Sequence, residues 1–464
     1  MKATLPMLQI RQLFLLFPLL CGTVGYSQTA TPPQTLADIV LQRDSAYGWQ
    51  IQHRGQIADC EFLQVQLTSQ RWHDVTWRHT LIVIQPPQVD PKQKHALMLI
   101  DGGSWRPEWN DDGPGPLTLP ATAEAMAMLA RESKTPVAII RQIPFQPMME
   151  GRKEDALIAE TLKKYYETGD RTWPLVPAMA RAASCALDAI TEVAQQEWNL
   201  QLNAFTITGA SKRGWTTYLL GATDPRVAAI APMVIDMLNM EPQMEHQLAA
   251  WGAYSPQIED YTKLGLQKSI GTPAGNELMS LIDPYVHREK LTMPKLIILG
   301  TNDPYWPLDA QKFYFEDLPQ PRALLNIPNN GHGLKDISRM VGSIGALHRS
   351  VVNDTPLPTW QSKLKSQAGS TTIVASSDQP PSRVYGWIAR AATRDFRQAQ
   401  WHAKSLVADD QGTWQLPLVK PESGYIAGMI EAQYDGPGTF PLSITTMIEV
   451  VPELKPAAAT TLEN

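Results

Sequence analysis

Apolar and polar residues alternate at period two over residues 62–67 and, less strictly, over 80–84. That rhythm predicts strands with one face open to solvent, here an antiparallel opening pair. The pattern then changes to unbroken apolar runs at 96–100, 137–140, 205–208, 227–231, 296–299 and 323–327. Short runs with no polar face predict strands buried on both sides, which is the condition of a parallel sheet covered by helices. Helical spacing appears between the runs, at 120–131 and at 177–198. The alternation therefore predicts a doubly wound α/β domain.

Two stretches depart from that rhythm. Residues 236–293 contain no strand pattern but several helix-like pieces, such as 241–251 and 257–269. An insertion of this kind between two sheet strands predicts a cap over a site, or a packing appendage. After a proline-rich junction at 355–358, residues 365–455 carry short alternating runs at 371–375, 383–388, 425–430 and 443–448. These predict a small antiparallel β-sandwich of the immunoglobulin or fibronectin type. The doubly wound domain would then span residues 28–358, ahead of that module.

The N-terminus reads differently again. Lys2 and Arg11 precede an apolar run at 13–21, shorter than a bilayer span, and small residues follow at Gly22, Thr23, Gly25 and Ser27. This order predicts a secretory signal peptide over residues 1–27, cleaved after Gly25 or Ser27, rather than an uncleaved anchor. Leu19 and Leu20 ahead of Cys21 are too bulky for the usual lipobox. No later stretch approaches the roughly 20 apolar residues of a membrane span. The expected protein is exported, periplasmic or secreted, without stable membrane insertion.

Composition narrows the partners. The 464 residues suggest two or three folded units, and 43% hydrophobic against 19% charged residues is the balance of a globular chain. Removing residues 1–27 takes Lys2 and Arg11 and leaves 38 basic residues against 46 acidic, a charge of −8. A mildly acidic chain with no basic block is a poor match to nucleic acid. The 38 prolines and 14 tryptophans are spread along the chain, which predicts many loops and well-walled pockets. Cys60 and Cys185 remain after processing, and their separation along the chain leaves a disulfide between them open. No His-Glu-x-x-His, clustered Cys/His set or Walker loop is present, so no metal or cofactor is expected.

The chemistry is carried by three loops. Gly209-Ala210-Ser211-Lys212-Arg213-Gly214 follows the strand at 205–208 and leads into a helix. A serine on such a turn is forced outward, and the crowded backbone needs small neighbours. The spacing is Gly-x-Ser-x-x-Gly, with Arg213 where the common elbow has glycine. A nucleophilic serine needs an imidazole base, and the imidazole needs a carboxylate. Asp303 follows the strand at 296–299, and His332, between Gly331 and Gly333, follows the strand at 323–327. The order Ser, acid, His at successive strand ends is that of the α/β-hydrolases. Asp236, after the strand at 227–231, is the alternative acid. An oxyanion hole would take the Lys212 backbone N–H and a second donor from Asp101-Gly102-Gly103-Ser104, at Gly103 or Ser104. Trp105, Trp215 and Trp306 adjoin these elements and are candidate pocket walls. Glu154 and Asp155 are candidates for a cationic substrate group, or simply offset a helix dipole.

These residues also resemble a known family. Asp101-Gly102-Gly103-Ser104, residues 152–159, Gly209-Ala210-Ser211-Lys212-Arg213-Gly214-Trp215-Thr216, Gly300-Thr301-Asn302-Asp303 and Asn330-Gly331-His332 are similar to the PhoPQ-activated pathogenicity-related protein family. The resemblance implies an α/β-hydrolase core, export and an association with bacterial virulence regulation, and links to secreted eukaryotic proliferation repressors. The elbow also resembles that of glucuronoyl esterases. Two functions follow as expectations: an exported serine hydrolase acting on a small-molecule ester or peptide, or a secreted binding or signalling protein on the same scaffold with a vestigial triad. Oligomeric state is open.

Overall fold

A computed structural model describes residues 35–110, 115–367 and 369–454, so the expected signal peptide lies outside the described residues. Nine strands form one sheet: β1 (Gly48–Ile57), β2 (Cys60–Trp72), β3 (Val75–Gln85), β4 (His95–Ile100), β5 (Val137–Ile140), β6 (Ala204–Ala210), β7 (Val227–Met233), β8 (Lys295–Gly300) and β9 (Arg322–Ile327). Their order is β1-β2-β3-β5-β4-β6-β7-β8-β9. Pairing is antiparallel up to β3–β5 and parallel from β5 onward. Every predicted run from 62–67 to 323–327 is one of these strands. β1 was not anticipated, because its apolar positions are only half-buried at the sheet edge.

The unbroken apolar runs are explained by where alternate side chains go. In β3, Leu81 and Val83 join one core cluster while Ile82 and Ile84 join the other. In β8 the same division separates Ile297 and Leu299 from Leu296 and Ile298. The first cluster is covered by α1 (Leu36–Leu41), α3 (Glu154–Thr168), α4 (Leu175–Trp198) and α5 (Lys212–Thr223), and the second by α2 (Ala123–Ser133) and α9 (Ile337–Val352). This is the α/β-hydrolase architecture: a mostly parallel sheet with helices on both faces.

Between β7 and β8 the chain is helical, with α6 (Met240–Trp251), α7 (Glu259–Thr262), α8 (Pro273–Ile282) and three 3-10 turns. The piece at 257–269 is broken into short turns, with Gly265 in the left-handed region at φ 70°. Cys60 and Cys185 are both buried as free thiols and are not joined.

The C-terminal strands are β10 (Trp360–Gln367), β11 (Ser370–Ser377), β12 (Arg383–Ala391), β13 (His402–Ser405), β14 (Trp414–Val419), β15 (Tyr425–Tyr434), β16 (Leu442–Thr445) and β17 (Glu449–Val451). They form two antiparallel sheets, β10-β11-β14 and β13-β12-β15-β16, with β17 on β15. The sheets pack face to face so closely that a Cβ on Gly386 or Gly428 would lie 2.7 Å from Leu416 or 2.5 Å from Leu418. The run at 443–448 is strand only as far as Thr445, where β16 ends, and β17 starts beyond it at Glu449. Between them the chain turns to the core, where Asn326 of β9 donates to Thr445 Oγ1 and Thr446 O, each at 3.2 Å. A buried charge cluster adds a second tie: Asp309 accepts from His246 of the insertion at 2.6 Å and from Arg394 of the C-terminal segment at 2.6 Å.

Candidate active site

Ser211 stands between β6 and α5 with φ 58° and ψ −126°. Such a conformation costs a non-glycine residue on the order of 1–3 kcal/mol, so the surroundings must hold it. Ser211 N donates to Met233 O at 2.8 Å, and Ser211 O accepts from Trp215 N at 2.9 Å. Both glycines of the elbow are required by crowding. A Cβ on Gly209 would lie 2.7 Å from Arg213 O; one on Gly214 would lie 2.9 Å from Met233 O and 2.8 Å from Ile235 Cγ2. Backbone cannot yield as a side chain can. Gly214→Ala is therefore expected to cost about 1–3 kcal/mol, read as a lowered Tm, and to displace Ser211 with loss of activity. An unchanged Tm would refute the crowding argument.

Arg213 takes the place of the usual elbow glycine because its side chain has a separate task. Its guanidinium donates to Glu154 at 2.7 and 2.8 Å and to Ile143 O. Gly102 lies directly against it: a Cβ there would sit 2.5 Å from Arg213 Nη2. Parallel pairing of Ile100 with Gly209 brings the 101–104 loop beside the elbow. Gly103 has φ 112°, a conformation that favours glycine, and its carbonyl accepts from Gln146 Nε2 at 3.0 Å.

Asp303 and His332 lie on the loops after the neighbouring strands β8 and β9. His332 Nδ1 is 2.8 Å from Asp303 Oδ2, and Asp303 Oδ1 accepts from Tyr305 N at 3.0 Å. The Tyr305 ring stacks on the imidazole with centroids 4.2 Å apart. The two loops are tied together, since Asn302 N donates to Asn330 O at 2.8 Å. Asn330 Oδ1 in turn accepts from Lys335 N at 2.6 Å and Asp336 N at 3.0 Å. The C-terminal segment braces both loops: Asn302 Nδ2 donates to Ala399 O at 2.8 Å, and Asn329 exchanges bonds of 2.8 and 3.0 Å with Trp401.

Ser211 and His332 line one cleft of about 110 Å³, together with Lys212, Asp155, Trp215 and Trp306. Much of its remaining wall comes from the insertion between β7 and β8. Lys212 is buried, and its ammonium lies 3.0 Å from Glu154 and 3.1 Å from Asp155. Asp155 also accepts from Tyr261 OH at 2.9 Å. Burial pushes the Glu154 carboxyl up, but hydrogen bonds and charge from Arg213, with Lys212, outweigh it and hold the group down at about 2. A depressed carboxyl stabilises the fold above its ordinary value of 4.5, and that stability is lost as pH falls toward 2. Glu154→Gln is expected to lower Tm at pH 7 and to flatten the fall in Tm between pH 4.5 and 2. Parallel Tm–pH curves for the two proteins would count against this.

The other sequence candidates fall in different places. Trp105 does not share the cleft: it is buried and lines a smaller cavity with Gln64, His79 and Trp109. The chain turns at Gly103, which carries Trp105 toward the antiparallel side of the sheet. Glu154 lies among Lys212, Arg213 and Gln146 rather than reaching for a substrate. Asp236 is buried in a third cavity with Asp303 and is not the partner of His332. Burial, with the charges of Asp303 and Asp309, pushes its carboxyl up to about 7. Sequence reasoning missed Arg213, Tyr261 and Tyr305 as site residues; only Tyr305 carried a signal, two positions after Asp303.

Residues 36–397 match the sequence profile of the PhoPQ-activated pathogenicity-related proteins, and that span covers most of the chain and all three loops. The chain belongs to the PhoPQ-activated pathogenicity-related protein family. The chain is also similar to the autocrine proliferation repressor protein A of Dictyostelium discoideum, 29% identical over 461 residues that cover 91% of each chain. Among solved structures, acetyl xylan esterase 1 of Thermoanaerobacterium sp. JW/SL YS485 aligns with 67% of this PhoPQ-related chain and 91% of its own, at 14% identity and a TM-score of 0.43. An S-formylglutathione hydrolase of Agrobacterium tumefaciens aligns with 66% and 96%, at 12% identity and a TM-score of 0.39. Among the described residues, no helix is long and apolar enough to cross a membrane.

Proposed function

We propose that this PhoPQ-related protein is an exported serine hydrolase that cleaves an acyl bond in a small ester or peptide. The observation that carries the reading is the 2.8 Å contact between His332 and Asp303 at the cleft that Ser211 also lines. Ser211 Oγ attacks the carbonyl while His332 Nε2 takes its proton and later gives it to the leaving group. Asp303 holds Nδ1 protonated and offsets the imidazolium charge. The N–H of Lys212, at the N-terminus of α5, and a donor from Gly103 or Ser104 receive the oxyanion. This chemistry needs no metal or cofactor. Export rests on the charge and apolar pattern of residues 1–27. We place the hydrolase domain at 28–358, with 236–293 as its cap, and a β-sandwich at 365–455.

A fluorophosphonate, which reacts with activated serines, tests the reading. One adduct is expected, on the peptide containing Ser211; a folded protein that takes up no label would overturn it. The name of the Dictyostelium relative, a proliferation repressor, favours a second reading as a secreted signalling protein. Full biological effect from a protein lacking the Ser211 hydroxyl would decide for that one.

A further inference from the structure

The chemistry of the cleft wall restricts what it can hold. One side is charged, but the charges are already matched. Lys212 is held between Glu154 and Asp155, and Arg213 is paired with Glu154. Tyr261 spends its hydroxyl on Asp155. Two cations face two carboxylates, so the group leaves no net charge for an ionic substrate. A free amine, such as the N-terminus of a peptide, would have to break one of these contacts to gain another. An uncompensated carboxylate on the substrate would face the same cost, because separating a buried pair leaves a charge unpaired.

Most of the rest of the wall is apolar, with Tyr166, Thr262 and Gln267 as polar exceptions. Met240, Met244, Ile258, Leu278 and Ile282 of the insertion close over the space beside Ser211. Trp215 contributes ring rather than polar edge, since its Nε1 donates to Ile282 O. Methionine side chains are unbranched and adapt to the shape of a guest. At about 110 Å³, several times the roughly 10–15 Å³ that one water needs, the cleft has room for more than an acetyl group. Filling it with a hydrocarbon chain removes apolar surface from water on both partners.

We propose that the cleft selects a neutral ester carrying a bulky apolar group, of the size of a medium-length aliphatic chain, and that the helical insertion is the selecting element. This rests on the serine-hydrolase reading above. In the step implied, Ser211 Oγ bonds to the acyl carbon as the carbon–oxygen bond to the alcohol breaks. The serine proton passes through His332 to the departing alcohol, and water then releases the acid and restores Ser211. The apolar group sits on the acyl or the alcohol side of that bond.

Two ester series distinguish the sides. The first is p-nitrophenyl acetate, butyrate and octanoate; the second is ethyl, butyl and octyl acetate. In one series kcat/KM is expected to rise at least about tenfold from shortest to longest. Leu278→Trp and, independently, Met244→Trp are expected to lower the longest-to-shortest ratio in that series by about tenfold. Having both variants, and the series on unaltered protein, covers a failure of either to fold. Fluorophosphonate labelling with flat or falling profiles in both series overturns this proposal and leaves the hydrolase reading standing. Rising profiles with ratios unmoved in both folded variants overturn the assignment to the insertion. Absence of both labelling and turnover overturns the hydrolase reading, and this one with it. Faster turnover of alanyl p-nitroanilide than of every ester would likewise overturn it.

Discussion

Ser211→Ala is expected to reduce turnover by about 10⁴- to 10⁶-fold and to abolish covalent labelling. Ser211 lines the cleft with His332, and alanine removes only its hydroxyl oxygen. The fold should survive, because the bonds that hold the turn come from Ser211 N and Ser211 O, which alanine keeps. Alanine meets the same positive φ as serine and adds no bulk. The measurement is kcat with Tm alongside. Turnover within tenfold of the unaltered protein, at equal Tm, would remove Ser211 from the mechanism.

Asp303→Asn is expected to cost about 10⁴-fold in kcat while leaving KM and Tm close to their starting values. The substitution is nearly isosteric, and an amide oxygen can still accept from Tyr305 N, so the loop keeps its shape. What changes is the proton on the imidazole. Opposite Asp303 Oδ2, Nδ1 must be the protonated nitrogen, which leaves Nε2 free as a base. An amide NH₂ in that position donates instead, forces the other tautomer and blocks the base. It also removes the negative charge that offsets imidazolium. A loss of less than about tenfold would mean that another group orients His332. Asp236 would be the first to examine, since it shares a cavity with Asp303.

The three loops that carry Ser211, Asp303 and His332 were legible in the sequence because each signal is local. Ser211, Asp303 and His332 each follow an apolar run and stand among glycines or before proline, and parallel strands deliver their C-terminal ends to one edge of a sheet. Contacts across the sheet were not legible. Arg213 meets Glu154 from 59 positions away, and nothing in either segment marks the pairing. Trp105 lines a different cavity from Trp215 and Trp306, because closeness along the chain to a site loop does not decide which cavity a ring lines. β1 was missed because an edge strand with half-buried apolar positions lacks a strong period. The helical character of the insertion was readable, but its breaks were not, since one glycine in the left-handed region divides a pattern that still looks continuous.

The bonds from Asn302 to Ala399 and from Asn329 to Trp401 mean that the chemistry and its scaffold do not divide along the chain. A fragment trimmed to the parallel sheet would keep Ser211, Asp303 and His332 and forfeit the bonds that brace the loops of the last two. Trimming or grafting this tail would therefore alter the surroundings of the proposed reaction centre.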